Sequence, residues 1–186
     1  MQININDIKN GMTIEMDGNL CTIMEFQHVK PGKGPAFVRI KLKNLRTGST
    51  VENTYNTNIK ITKAHIDKQT VQFLYVSGDN YVFMNMETYE QIEVPKDKLT
   101  DQLPFIKEGL ELQIDFYNGE IIGVTLPDKI AFKVTQTEPA VKGNTTNNAQ
   151  KDATIETGYV VKVPLFISEG ETILISTSDG KYYSRA

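Results

Sequence analysis

The chain has 186 residues, a formal net charge of −3, a single cysteine and no tryptophan. This length accommodates one large domain or two to three small ones. One cysteine cannot form an internal disulfide bond, and no apolar run approaches the ~20 residues that a membrane-spanning helix needs. The first residues lack the basic and apolar regions of a signal peptide, so we expect a cytoplasmic protein that does not bind membranes.

Turn signals and alternating runs along the chain predict a mostly β fold. Dipeptides that favour hairpin turns lie between apolar runs at Asp17-Gly18, Thr47-Gly48, Gly78-Asp79, Asn118-Gly119 and Asp179-Gly180. Strands are predicted at Leu20–Phe26, Val38–Lys43, Val71–Val76, Tyr81–Met86, Leu110–Phe116 and Thr172–Ser176. Lys96–Lys107 has the pattern of a short helix, which Pro104 interrupts. The polar stretch Thr135–Asp152 predicts a long surface loop.

Charge and turn signals divide the chain into three units, at residues 1–64, 65–127 and 128–186. Residues 1–63 carry nine Lys or Arg against five Asp or Glu, whereas residues 64–127 carry four against eleven. A second boundary follows Leu126-Pro127, where a proline ends a strand-like run. Each unit has the size of a small β-barrel, and a basic first unit predicts one end that faces RNA.

The residues that carry enzyme chemistry are sparse. The two histidines, His28 and His65, lie far apart, and a zinc site is not expected with one cysteine. The sequence contains neither a Gly-x-Ser-x-Gly elbow nor a phosphate-binding P-loop, and Cys21 lies in an apolar run typical of a core thiol. We therefore expect no catalytic residue, no metal and no cofactor. A hydrolase site assembled from distant residues stays open as an alternative.

The segment His28–Phe37 differs from the rest of the chain. It lies between two predicted strands and therefore forms a hairpin tip. Two prolines restrict the backbone there, and Gly32 and Gly34 flank Lys33 with little side-chain cover. No acidic residue occurs between Glu25 and Glu52, a range that holds Lys30, Lys33, Arg39, Lys41, Lys43 and Arg46. This pattern predicts phosphate contacts that position a protein on RNA, although an ordinary solvated turn would show it too.

Several motifs resemble one family. Lys30-Pro31-Gly32-Lys33-Gly34, followed by Ala36-Phe37-Val38-Arg39, resembles the tip loop of bacterial elongation factor P. The far segment Gly158–Ile167, followed by Gly170, resembles the C-terminal signature of that family. Weaker similarities are found at Phe83-Met84-Asn85, Tyr89-Glu90-Gln91 and Tyr182-Tyr183-Ser184-Arg185. The resemblance thus extends over essentially the whole chain, from Asp7 to Arg185.

The resemblance implies a fold, a function and partners. The fold would be three small β-barrels, an SH3-like (KOW) barrel and two OB-folds, arranged in an L like tRNA. The protein would be a monomer that binds the ribosome between the exit and peptidyl sites and promotes peptide-bond formation at consecutive prolines. Lys33 would approach the acceptor end of the peptidyl-tRNA, within ribosomal RNA, after extension by a lysine-modifying enzyme.

The resemblance also assigns candidate residues. Lys33 is the predicted tip contact and modification site, and the other predicted RNA or tRNA contacts are Lys30, Pro31, Gly32, Gly34 and Arg39. Tyr182 and Arg185 are predicted to face the ribosome from the third domain. Asn144-Thr145-Thr146 replaces the usual Asp-Thr-Ala of the family, so the codon contact of that loop is open. A specialised paralogue with other stall sites, or a general RNA chaperone that stacks bases, are the alternative interpretations.

Overall fold

The computed structural model describes residues 1–139 and 149–186. In these ranges the protein is mostly β, with three antiparallel, barrel-like sheets, which confirms the predicted fold class. Two compact units can be distinguished, one of residues 1–68 and 115–123 and the other of residues 69–114 and 124–186. The three domain boundaries derived from the sequence stay a prediction. No helix in the described ranges is long and apolar enough to span a membrane.

The first sheet has six strands in the order β1-β6-β2-β3-β4-β5. Its strands are β1 (Gln2–Asn4), β2 (Thr13–Met16), β3 (Asn19–Val29), β4 (Phe37–Asn44), β5 (Thr50–Asn56) and β6 (Lys60–Lys63), with a 3₁₀-helix at Ile5–Asp7. The predicted alternation in β4 is confirmed, since Val38, Ile40 and Leu42 are buried in the core and the cations between them are exposed. Burial of these branched side chains on one face of the strand drives the sheet to close around them.

The second sheet has five strands in the order β11-β10-β7-β8-β9. These are β7 (Asp67–Ser77), β8 (Asn80–Asn85), β9 (Gln91–Pro95), β10 (Glu111–Tyr117) and β11 (Glu120–Thr125). The predicted helix at Lys96–Lys107 is instead two short 3₁₀-helices, Lys96–Leu99 and Leu103–Phe105. Pro104 lies in the second, where it has no N–H to continue a longer helix.

The third sheet also has five strands, in the order β14-β13-β12-β15-β16. They are β12 (Lys129–Thr137), β13 (Gln150–Ile155), β14 (Val160–Pro164), β15 (Thr172–Ser176) and β16 (Lys181–Arg185). The expected loop Thr135–Asp152 is too long, because β12 and β13 extend into it at both ends and Thr137 pairs with Ala153. The segment Asn144-Thr145-Thr146 lies outside the described residues.

The second unit contains a shared apolar contact between its two sheets. Phe105 is 7% exposed, and its ring centroid lies 5.3 Å from that of Tyr159 and 6.4 Å from that of Phe132. The Tyr159 hydroxyl donates a hydrogen bond of 2.9 Å to the carbonyl oxygen of Gly180. Aromatic contacts of this kind add to the stability gained from burial alone, so Phe105 is a main element of this unit's core.

Candidate nucleic-acid interface

The tip loop follows from the length of the β3–β4 hairpin. Pairing of the two strands runs outward from Cys21 with Asn44 to Val29 with Phe37, and residues 30–36 then connect them. Gly34 has φ +104, a backbone conformation that L side chains rarely adopt, and a Cβ at Gly32 or Gly34 would have no neighbour within 4 Å. The two strands therefore carry the loop clear of the barrel.

Lys33 is the central side chain of this loop. Lys33 and its neighbours Gly32, Gly34 and Pro35 are exposed, whereas Pro31 is half-buried. Among residues 1–139 and 149–186, no ion pair involves Lys30 or Lys33. The predicted tip contacts Lys30, Pro31, Gly32, Lys33 and Gly34 thus lie together on one loop. Two of them are cations with no carboxylate partner in the described part of the chain.

The cations of β4 have a different environment from those of the tip. Arg39 Nε lies 3.5 Å from a carboxylate oxygen of Glu52, and Lys41 Nζ lies 3.5 Å from one of Glu25. The acid-free range between Glu25 and Glu52 in the sequence does not leave the strand cations unpaired, and their predicted contacts with RNA phosphates stay a prediction. Glu25 and Glu52, at the two ends of this range in the sequence, lie on β3 and β5, the strands on either side of β4. Both glutamates therefore lie next to the cations of β4 and pair with them.

Arg46, in the turn that follows β4, is also paired. Its guanidinium donates two hydrogen bonds of 3.0 Å to the carboxylate of Glu120, and this contact raises the pKa of Arg46 above its usual value. Nearby, the Tyr117 hydroxyl donates to the Glu15 carboxylate, which raises the pKa of Tyr117. These contacts lie within the first unit and hold its segment of residues 115–123. Arg46 therefore serves the fold rather than an open basic surface.

The two residues predicted for the third domain have partners within their own sheet. The guanidinium of Arg185 lies 4.4 Å from the ring centroid of Phe166 and 3.3 Å from a carboxylate oxygen of Glu171. Tyr182 is half-buried and pairs with Ile175 across β15 and β16. These contacts account for both residues structurally, and their position facing the ribosome stays a prediction.

Sequence reasoning gave no role of its own to Tyr183, one of the exposed aromatic residues. Tyr183 is 56% exposed, and Lys129 Nζ lies 3.8 Å from its ring centroid. The register between β15 and β16 shifts at this point, so Tyr183 is an extra residue in the strand. A bulge of this kind re-aims a side chain, and no turn residue or charge pattern in the sequence marks it.

Two of the sequence expectations concern the metal-ligand residue types and the single thiol. Within the two described ranges, no three His, Cys, Asp or Glu side chains group as metal ligands. Cys21 is 4% exposed, and its burial, with a smaller contribution from Asp17, raises the pKa of the thiol. A thiol with a raised pKa is a poor nucleophile at neutral pH, which agrees with the prediction of a core residue.

These features define a class of small multi-barrel proteins that present one cationic hairpin tip. Sequence models of a single family match successive parts of the chain: the elongation factor P KOW-like domain at residues 4–61, its OB domain at 66–124 and its C-terminal domain at 130–185. The chain therefore belongs to the elongation factor P family, and it is a translation elongation factor.

Solved structures of related factors share part of the fold. Eukaryotic translation initiation factor 5A from Methanococcus jannaschii is 27% identical with a TM-score of 0.56, over 68% of this chain and 94% of its own. A translation initiation factor eIF-5A family protein from Naegleria fowleri is 18% identical with a TM-score of 0.53, over 68% of this chain and 98% of its own. The second similarity supports the fold alone.

Proposed function

We propose that the protein binds the ribosome beside the peptidyl-tRNA and promotes peptide-bond formation at consecutive prolines, with Lys33 as the contact to the acceptor end. The observation that carries this proposal is the exposed Lys33 on a loop that the β3–β4 hairpin extends beyond the barrel, with no carboxylate partner among the described residues. A free cation on a narrow support suits a crowded site lined by RNA phosphates.

The mechanism requires no reacting group from the protein, which acts as a positioning factor and not as an enzyme. The proline ring fixes φ and restricts the approach of the nascent chain to the incoming amine. A factor that holds the acceptor end near attack geometry lowers the orientational entropy lost in the transition state. Lys33 supplies this contact, Lys30 and Arg39 attract the RNA backbone, and Gly32 and Gly34 shape the loop around the Lys33 ammonium.

The proposed partners are supported by the family to which the chain belongs and by the exposed tip loop. The ribosome, its RNA and the peptidyl-tRNA are the binding partners, and Tyr182 and Arg185 face the ribosome from the third domain. Lys33 is also exposed and therefore accessible to a lysine-modifying enzyme, which would lengthen its reach. We place the protein in the cytoplasm as a monomer, with three domains at 1–64, 65–127 and 128–186.

The test replaces Lys33 and measures translation through a run of prolines. Lys33→Ala should leave the fold intact and abolish the rescue of a polyproline reporter, because Lys33 is exposed and has no ion pair among the described residues. Lys43→Ala is the matched control, since Lys43 is also exposed on the β3–β4 hairpin and without an ion pair in the described chain, but lies at the opposite end of β4. Full rescue by Lys33→Ala would refute the proposal. Intact-mass measurement of the native protein would show a modification of Lys33.

A further inference from the structure

The outer face of β3, β4 and β5 carries a ladder of opposite charges. Lys41 lies directly opposite Glu25 on one side and Glu52 on the other. Glu52 pairs with Arg39, two residues along β4, and Glu25 pairs with Lys41. With Gln27 and the edge of Phe26, these four side chains line a shallow depression of about 170 Å³. The face is therefore polar and locally neutral, although its central strand is basic.

Stability alone does not explain this arrangement. The side chains of the Arg39–Glu52 pair are 48% and 58% exposed, and those of the Lys41–Glu25 pair are 45% and 71% exposed. Solvent-exposed ion pairs contribute little to folding, because water screens the attraction and the side chains lose entropy. Their larger effect is on the electrostatic field, since each carboxylate cancels a cation that would otherwise attract RNA phosphates.

We propose that Glu25 and Glu52 are specificity-determining residues, which screen Arg39 and Lys41 from unselected RNA and so weaken the attraction of this face relative to that of the tip loop. This inference rests on the proposed ribosomal function. A tRNA already docked at Lys33 holds its phosphates in place long enough to displace Glu52 from Arg39. A flexible single strand has no such anchor, and it meets a neutral face instead of two further cations.

The reason for such screening lies in the strength of unspecific RNA binding. Each cation that neutralises a phosphate of a single strand releases counterions and adds about 0.7 to the slope of log K against log salt. Arg39 and Lys41, if unscreened, would together add about 1.4 to that slope, or roughly 25-fold in affinity at about 0.1 M salt. A factor with that affinity would be held by free RNA and would reach stalled ribosomes more slowly.

The experiment compares two double variants that change the net charge equally. Glu25→Gln with Glu52→Gln removes the screening carboxylates and keeps the side-chain shape. Glu108→Gln with Glu111→Gln is the control, since both residues are exposed and no ion pair of theirs occurs in the described chain. Binding of a short fluorescein-labelled oligouridylate is measured by anisotropy over a series of KCl concentrations.

We expect the Glu25/Glu52 variant to bind the oligouridylate roughly ten- to 25-fold more tightly than wild type at about 0.1 M salt, with a slope steeper by about 1.4. Each single substitution should give about half of that change in slope. Adding Arg39→Gln and Lys41→Gln to the double variant should remove the gain.

A gain no larger than that of the Glu108/Glu111 control would overturn the inference, as would a gain that persists without Arg39 and Lys41. Urea unfolding of each variant separates these outcomes from a loss of structure, and the single variants provide the same test if the double variant unfolds. Failure of the wild-type protein to rescue the polyproline reporter would instead refute the proposed function. The oligouridylate binding data would still show whether Glu25 and Glu52 screen Arg39 and Lys41.

Discussion

Gly34 is the position in the tip loop where the backbone tolerates the least change. Its φ of +104 is open to glycine, but an L residue adopts it only under strain. No atom lies within 4 Å of a Cβ built at Gly34, so Gly34→Ala would meet no steric obstacle. The substitution therefore tests backbone conformation separately from packing.

The magnitude follows from this strain. A non-glycine residue in a sparsely populated backbone region costs about 1–3 kcal/mol. At a hairpin tip the loop can escape this cost by changing its conformation while the barrel stays folded. The cost then appears as a loss of the loop conformation that presents Lys33, by about fivefold to about 140-fold. Apparent affinity for the ribosome falls by the same factor, because only the competent conformation binds.

The assay is rescue of a polyproline reporter at limiting factor concentration. Gly34→Ala should lower the apparent affinity by at least about fivefold. Gly48→Ala is the matched control, since Gly48 has φ +75 and an equally open surrounding but lies in the β4–β5 turn. It should cost comparable backbone strain and retain rescue. An amide NMR spectrum should show shifts around Lys33 for Gly34→Ala and not for Gly32→Ala, because Gly32 lies outside the positive-φ region.

Equal rescue by Gly34→Ala and Gly48→Ala would refute the reasoning. It would mean that the loop conformation seen here is not the one that acts, or that the loop rearranges on binding at no cost. An unfolding midpoint close to that of wild type for Gly34→Ala, with rescue lost for that variant and retained for Gly48→Ala, would support a local effect at the tip.

Three further predictions concern the stability of the fold. Phe105→Ala should destabilise the second unit by about 3–5 kcal/mol in urea unfolding, because Phe105 is a buried aromatic residue. Gly180→Ala should cost about 2–3 kcal/mol, since its Cβ would lie 2.7 Å from the Tyr159 hydroxyl at φ +70, whereas Gly119→Ala has an open surrounding and should cost about 1–2 kcal/mol. Stability should fall as the pH rises above the ordinary thiol value of 9.0, because burial raises the pKa of Cys21 in the folded state and the unfolded chain loses its proton first. Cys21→Ala should reduce that alkaline loss, measured by urea midpoints across the pH range.

Much of the fold could be predicted from local signals. All five turn dipeptides lie in observed hairpins. At Asp17-Gly18 and Asn118-Gly119 both residues have positive φ, as tight two-residue turns require. The predicted strands all overlap observed ones because alternation of apolar residues directly reflects which face is buried. Composition was less informative for Thr135–Asp152, where polar residues extend β12 and β13.

The tip loop could be located from the sequence, but the state of the neighbouring cations could not. The reason is a one-residue bulge in β3, where Ile23 pairs with Leu42 and Glu25 pairs with Lys41, which leaves Met24 as the extra residue. Without the bulge, Met24 would lie opposite Lys41 and Glu25 opposite the buried Ile40, with its carboxylate directed into the core. The bulge turns Glu25 outward, beside Lys41.

Charge counts along a chain therefore cannot tell which cations of a β-sheet remain free. Pairing depends on register, and a single inserted residue exchanges the two faces of a strand. In this barrel the insertion places Glu25 beside Lys41, so part of the run of cations on β4 is neutralised while the tip loop stays charged. Whether a cation can contact RNA then depends on its cross-strand neighbours. Such neighbours lie far apart in sequence, as Glu25 and Lys41 do. The cations of the tip loop differ from those of β4, because residues 30–36 lie beyond the last strand pair and have no neighbouring strand to supply a carboxylate.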